Sequence, residues 1–278
     1  MKPTRIAAYV GFGILSLIFC LYLTFPWDAL KDRLLMEASA RTGWKLMAKH
    51  MRPSWFTGVT LTDVSATPPG GLAPMELAQV SARAGLWSLL TGGRSVRVAM
   101  ELGRGHAVID YAERGSLMDL AVKMDAVELA LIGDMKALSG LPLSGEVSAD
   151  VDLEINQAKL DESTGDVRLR GSGLEIGSGG SVRGFPVPGL SLGSLDWNVQ
   201  LADGRLAVEQ QQLTGGDLEA TVNGNVNLAT PLERSILNLD ARFSPTPQLI
   251  EREPLANLLK NRFAITGSLK HPRATPRR

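Results

Sequence analysis

The chain has 278 residues, enough for one or two domains with a sizeable core. Lysine plus arginine and aspartate plus glutamate number 29 each, so the net charge gives no reason to expect a nucleic-acid partner. The only cysteine, Cys20, excludes disulfides within the chain, cysteine-based zinc fingers and thiol redox pairs.

The first predicted element is an uncharged run of 20 residues, Ile6–Phe25. As a helix it would be about 30 Å long, the thickness of a bilayer core, so we expect a transmembrane anchor. A cleaved signal peptide and a buried core helix are the alternatives, but the run is long for a signal and no small-residue cleavage site follows it. Lys2 and Arg5 favour a cytoplasmic N-terminus at residues 1–5, which places residues 26–278 outside the cytoplasm.

A short amphipathic helix is predicted directly after the anchor. Asp28 is a candidate N-cap, Ala29–Thr42 would form the helix, and Gly43 would end it. We expect this helix to pack against one end of the structure that follows. The alternative is that it lies on the membrane surface.

Strand patterns dominate the rest of the chain, as in GEVSADVDLEI at Gly145–Ile155. Apolar side chains occupy every second position from Val147 to Ile155, and Asp150, Asp152 and Glu154 lie between them. This alternation predicts a strand with one apolar face and one solvated face. Related patterns predict further strands at Val59–Val64, Met75–Ala82, Val96–Leu102, Ala107–Tyr111, Leu117–Met124, Val127–Leu131, Thr164–Arg170, Leu192–Leu201, Arg205–Gln212, Leu218–Leu228, Ser235–Phe243 and Ala264–Lys270.

Four segments interrupt the strand patterns. Leu86–Leu90 and Asp134–Leu138 predict single helical turns, and Gln248–Lys260 predicts a helix broken at a proline. Gly173–Gly189 is rich in glycine and proline and predicts a long loop or a twisted hairpin. No linker divides residues 26–278, so the predicted fold is mainly β: an N-terminal transmembrane helix, then one elongated antiparallel sheet with a few short helices.

One catalytic motif occurs in the sequence. GLSLG at Gly189–Gly193 matches the G-x-S-x-G pattern, with Ser191 as the nucleophile. That motif requires a strand, a sharp turn and then a helix, whereas the residues after Gly193 alternate like a strand. The only histidine that follows is His271. We therefore expect no catalytic residues and no enzymatic activity.

Metal and cofactor sites are not predicted either. His50, His106 and His271 are far apart in the sequence and have no partner at ligand spacing. The glycine-rich stretch Gly171–Gly184 lacks the lysine and the following helix of a phosphate-binding loop. The basic segment 273–278 predicts a disordered tail, with contact to anionic lipid as the alternative.

Several stretches, in this order, resemble a known family. They are the apolar run continuing into FPWDALKDRLLMEASARTGWKL, then Arg52–Pro69, Met75–Tyr111, Leu138–Ile155, and FAITGSLKHPRATP at Phe263–Pro276. Together they resemble the AsmA-like superfamily of anchored periplasmic proteins and, within it, the type II secretion system protein N (GspN) family.

The resemblance implies a Gram-negative inner-membrane protein whose periplasmic part is a curved antiparallel sheet forming an apolar groove. It also implies an accessory component of the type II secretion platform that acts through contacts with the inner membrane and other platform proteins. The alternative function is lipid handling in the envelope, with phospholipid in the groove. Whether the apolar face is covered by protein separates a closed core from a surface for ligands or partners.

Overall fold

The computed structural model describes residues 12–13, 16, 24, 26–54, 58–68, 74–85, 93–132, 141–182, 185–229, 234–260 and 262–277. Strands make up 68% of the structure, which confirms the prediction of a mainly β chain with few helices. The predicted helical turns at Leu86–Leu90 and Asp134–Leu138 lie outside the described residues.

Fourteen strands form one antiparallel sheet, and two short strands form a separate hairpin. Most of the predicted strands are present, and most of them are one to six residues longer than predicted. The strand predicted at Leu218–Leu228 ends at Asn227, and the one predicted at Ala264–Lys270 is Arg262–Ser268. The strands are β1 (Lys45–Ser54), β2 (Gly58–Thr67), β3 (Met75–Ala84), β4 (Arg94–Leu102), β5 (Gly105–Arg114), β6 (Leu117–Glu128), β7 (Leu143–Asn156), β8 (Thr164–Ile176), β9 (Gly180–Val182), β10 (Phe185–Val187), β11 (Leu190–Ala202), β12 (Arg205–Thr214), β13 (Leu218–Asn227), β14 (Ile236–Pro245), β15 (Arg262–Ser268) and β16 (His271–Arg277).

The large sheet is a meander in which each strand pairs with the next one along the chain. The only departure is the β9–β10 hairpin, which is inserted between β8 and β11, two neighbours in the sheet. This hairpin lies within the segment Gly173–Gly189, for which a long loop or a twisted hairpin was predicted, but the first four residues of that segment belong to β8. Strands β1 and β16 form the two edges of the sheet.

Helix α1 (Trp27–Thr42) lies along the β1 edge. Ser39 Oγ accepts a hydrogen bond from the Leu46 N–H at 3.0 Å, and Lys31 Nζ donates to the Lys49 carbonyl at 3.3 Å. The helix therefore packs against the end of the sheet and covers backbone groups that an edge strand otherwise leaves unpaired.

The start of α1 differs from the prediction. Pro26 occupies the N-cap position without a side-chain cap, and Asp28 lies in the first turn, where it pairs with Lys31 at 3.4 Å. The predicted end is confirmed, because Gly43 adopts a left-handed conformation with φ 73°.

The region Gln248–Lys260 is helical and interrupted as predicted. It forms a short helix α2 (Pro247–Arg252) and a 3₁₀ turn (Pro254–Leu259). Two further 3₁₀ turns are Leu129–Leu131 and Leu160–Glu162.

Two strand predictions need correction. The segments Leu117–Met124 and Val127–Leu131 are not separate strands, because β6 continues through a bulge at Ala126. Ala126 has φ 46°, and its N–H is held by Ser148 Oγ at 3.0 Å. The basic segment at the C-terminus is not a disordered tail, because His271–Arg277 forms β16 and pairs with β15.

The predicted anchor Ile6–Phe25 lies outside the described residues apart from 12, 13, 16 and 24. Among the residues that are described, no helix combines the length and the apolar character needed to cross a bilayer. The structure therefore gives the anchor no support.

Two buried clusters lie toward the margins of the sheet. One joins strands β2 to β6 and includes Val64, Leu102 and Val127. The other joins the ends of β8 and β11 to α2 and the 3₁₀ turn after it, through Ile176 and Leu249. The chain exposes 18361 Å², whereas a compact monomer of this mass exposes about 11,600 Å².

Candidate functional site: an apolar sheet face

One row of side chains crosses the whole sheet. In an antiparallel pair, residues directly opposite each other present their side chains on the same face. Following the register from β1 to β16 gives one residue on each strand, and none of the fourteen carries a charge or a hydrogen-bonding side chain. This central row is Pro53, Val59, Ala82, Val98, Ile109, Val122, Val151, Val167, Val199, Val208, Gly224, Leu239, Ile265 and Ala274.

No residue of the central row is buried. Twelve of the fourteen are half-buried, and Gly224 and Ala274 are exposed. In a sheet covered by a second layer, residues in the middle of the apolar face are the most deeply buried positions. The opposite distribution here means that this face is not covered along its centre.

Two flanking rows widen the apolar surface, and we call the three rows together the apolar face. One flanking row runs from β3 to β16: Ala84, Val96, Tyr111, Leu120, Leu153, Gly165, Leu201, Leu206, Val226, Leu237, Gly267 and Pro272. The other runs from β1 to β16: Met51, Leu61, Val80, Met100, Ala107, Met124, Ala149, Leu169, Trp197, Gln211, Val222, Ala241, Phe263 and Pro276.

The register of these rows explains the pattern of β7. Val147, Val151 and Leu153 point to the apolar side, while Asp150, Asp152 and Glu154 are exposed on the other side. The predicted assignment of the two faces of this strand is confirmed.

Gln211 is the one amide on the apolar face, and its polar atoms are already engaged. It lies beside a bulge in β12, where the register with β11 shifts between Asp196 and Val199. Its side-chain oxygen accepts from the Asn198 N–H at 2.5 Å, and its nitrogen donates to the carbonyls of Asn198 and Glu209. The side chain is 2% exposed. The Gln211 side chain therefore replaces backbone hydrogen bonds that the bulge removes between β11 and β12, and it offers no free polar group to a ligand on the apolar face.

Trp197 is the largest side chain on the apolar face, and 36% of its surface is exposed. It lies on β11 opposite Leu169, at the same bulge that Gln211 stabilises. Bulges commonly redirect a side chain, and exposed tryptophans are frequent anchors of binding surfaces. Trp197 was not among the residues predicted to have a function, although its position in the alternating pattern around Leu195–Leu201 places it on the apolar side of a strand.

The dimensions of the apolar face suit an elongated contact. At about 4.8 Å between strands, fourteen strands span about 62 Å, and three rows cover a width of about 20 Å. The footprint is about 1,200 Å², compared with about 800 Å² per partner in a standard stable interface.

The opposite face of the sheet is polar and carries cross-strand ion pairs. Arg97 on β4 makes two hydrogen bonds to Asp110 on β5, the second at 2.8 Å. The hydrogen bond from Arg97 lowers the pKa of the Asp110 carboxyl, against a smaller opposing effect of burial. Both side chains are well exposed, so this pair contributes little stability. Charged side chains of this kind favour contact of this face with water.

Ser191 lies inside strand β11 and is held there through its backbone. Asp217 Oδ2 accepts from the Ser191 N–H at 3.0 Å, and the Ser191 carbonyl accepts from the Asp217 N–H at 2.6 Å. Arg252 on α2 pairs with the same carboxylate at 2.8 Å. The bond from Ser191 and then the pairing with Arg252 lower the pKa of Asp217. Asp217 thus fastens α2 to the sheet.

The structure does not bring Ser191 and His271 together. They lie on β11 and β16, which are separated by five inter-strand intervals or about 24 Å. His50 and His106 lie on β1 and β5. Among the described residues, no group of three histidine, cysteine, aspartate or glutamate side chains is arranged to hold a metal ion.

No protein-family profile, curated protein or solved structure matches this chain. The sequence pattern and the apolar face are therefore the two features of the chain that bear on its function.

Proposed function

We propose that this protein is a non-enzymatic contact component of a type II protein secretion apparatus. In this proposal Ile6–Phe25 anchors it in the inner membrane with the N-terminus in the cytoplasm, and residues 26–278 lie in the periplasm. The apolar face binds an elongated apolar surface of another protein of the secretion platform. The order of motifs that resembles the GspN family supports the assignment to this apparatus.

The observation that carries the proposal is the uncovered central row. Soluble proteins seldom expose a continuous apolar patch larger than a few hundred Å² unless the patch binds something. Here the footprint of the apolar face is about 1,200 Å² and its central residues are all accessible, although six residues of the flanking rows are buried. A partner that follows the whole length of this face would therefore meet a footprint comparable to that of a stable protein interface.

A second candidate function is the binding of lipid acyl chains. The specific observation in its favour is that the central row offers no hydrogen-bonding side chain over about 62 Å. Protein interfaces usually contain about one hydrogen bond per 100–200 Å², whereas hydrocarbon chains require none. Even Gln211, the amide on the flanking row, has its polar atoms bonded to the backbone.

The two functions can be separated by site-specific photo-crosslinking in cells. A benzophenone amino acid replaces Trp197, which it resembles in size and which is exposed on the apolar face. The matched control carries it at the neighbouring Asp196, whose side chain lies on the polar face. We expect Trp197, and not Asp196, to crosslink to a protein of the secretion platform identified by mass spectrometry.

Export of a known type II substrate is measured alongside. Removing residues 1–25 and exporting the remainder on a cleavable signal should reduce export, because the anchor keeps the domain at high effective concentration near its partners. Ser191→Ala should leave export unchanged. Phospholipid adducts at residue 197 without a platform protein would replace the first proposal with the second, and loss of export in the folded Ser191 variant would reopen an enzymatic function.

A further inference from the structure

Strand β16 is an open edge of the sheet. Within the part of the chain that the structure describes, it pairs with β15 alone, and all seven of its residues are exposed. An edge strand presents a row of backbone N–H and C=O groups that another strand can join. The three residues Pro272, Ala274 and Pro276 also continue the three rows of the apolar face to this edge. A second sheet that joined here would extend that face without interruption.

The register shows which backbone groups point outward. Pro272 is opposite Gly267, and Pro276 is opposite Phe263. Proline has no N–H, so neither can belong to a pair that exchanges two hydrogen bonds with β15. Hydrogen bonds to β15 therefore come from the odd-numbered residues, and the even-numbered residues direct their backbone groups away from the sheet. Of the three outward-facing residues, only Ala274 retains an N–H.

The simplest association through this edge is an antiparallel pairing of β16 with β16 of a second copy, centred on Ala274. Each Ala274 would face its equivalent, and Pro272 would face Pro276 of the second copy. Three such pairs would exchange six N–H···O bonds if no proline were present. The prolines eliminate four of them.

The other edge is protected by a different device. Helix α1 lies along β1, with Ser39 bonded to the Leu46 N–H and Lys31 bonded to the Lys49 carbonyl. We propose that Pro272 and Pro276 close the β16 edge against a second copy of this chain. Binding partners are then directed to the apolar face and away from the edges.

The test compares the full chain with the double variant Pro272→Val/Pro276→Val, purified in the same detergent. The control is Ala274→Val, which adds the same β-favouring side chain to the same strand without adding an N–H. Molar mass is measured by light scattering over a wide range of concentrations. Each restored bond should raise the association constant of the dimer roughly fivefold, so four bonds should raise it several hundredfold in the double variant.

Hydrogen exchange locates the contact. The Ala274 N–H should exchange rapidly in the parent chain and become protected in the double variant as the dimer forms. Each single variant restores two of the four bonds. If the double variant does not fold, the single variants are tested in the same way. A double variant that stays monomeric overturns the proposal. So does a control variant that dimerises equally well, or a dimer in which Ala274 remains unprotected.

Discussion

Replacing Val151 by aspartate tests whether the apolar face is open. Val151 lies in the central row between Val122 and Val167 and is half-buried. Full burial of a valine side chain is worth about 1.5–3 kcal/mol, so its loss here costs about half of that. The new carboxylate loses part of its hydration beside two valines but still reaches water, which adds about 1–2 kcal/mol. We therefore expect Val151→Asp to lower the free energy of unfolding by about 2–3 kcal/mol.

Two further variants give the upper and lower limits for this loss of stability. All three are compared by thermal and urea unfolding of the full chain, monitored by far-UV circular dichroism. Val127 is 0% exposed, so Val127→Asp places a carboxylate where water cannot reach it and should cost about 5 kcal/mol or more. Asp152 is exposed opposite Asp166, so Asp152→Ala removes a repulsion and should change stability by less than about 0.5 kcal/mol. A Val151 variant as damaging as the Val127 variant would show a covered face. One as mild as Asp152→Ala would show that the two faces were assigned wrongly.

Three other predictions concern single structural features. The pKa of Asp217 is lowered from its ordinary 3.8. Its contribution to stability is therefore present above about pH 4 and is lost as the pH falls through the folded-state pKa. Asp217→Asn should accordingly weaken the loss of stability at acid pH, as measured by urea unfolding at a series of pH values. Gly224 has φ 137°, and a Cβ there would overlap the backbone oxygen of Asn238, so Gly224→Ala should lower the free energy of unfolding by about 2 kcal/mol or more, seen as a lower Tm. Gln211→Leu has nearly the same shape but leaves the Asn198 N–H and carbonyl without their partner, so it should cost about 2–4 kcal/mol in urea unfolding; an unchanged midpoint would show that water takes over both bonds.

Much of the sheet could be predicted because its turns are short. Two-residue connections join β4 to β5, β5 to β6, β11 to β12 and β15 to β16. The turn between β11 and β12 is Asp203–Gly204, and both residues have positive φ. That geometry matches the twist of a hairpin, and a two-residue turn fixes the register of the strands it joins. Alternation within strands and the chemistry of these turns together determine which side chains face each other.

Strand β16 was missed for a reason that also explains its position. Pro272 and Pro276 remove two backbone donors, and such a sequence does not resemble a strand in the interior of a sheet. At this edge the missing N–H groups would point away from the sheet, so no hydrogen bond between β16 and β15 is lost. Strand β1 was missed because KLMAKHMRPS mixes charged and apolar residues without clear alternation, and its pairing with β2 and its cover by α1 are tertiary effects.

The apolar face itself was only partly predictable. Each strand pattern shows an apolar side, as Val147 to Ile155 do on β7. The same pattern arises whether that side is covered by a second layer or left open, because alternation reports the environment of one strand and not what lies above it. Only the burial of the central row in the folded chain distinguishes the two cases.

The twist of the sheet limits what can occupy the apolar face. Neighbouring strands rotate by about 20° on average, so thirteen intervals turn the face through about 260°. A rigid globular partner that contacts about five strands covers about 500 Å² of the face, below the roughly 800 Å² per partner of a standard interface. A flexible or helically wound occupant can follow the whole length. Crosslinkers can be placed at Val98 on β4 and at Leu239 on β14. Crosslinks from both positions to the same partner would identify an occupant that winds along the sheet. A partner crosslinked at only one of the two positions would be a globular protein held by a weak and reversible contact.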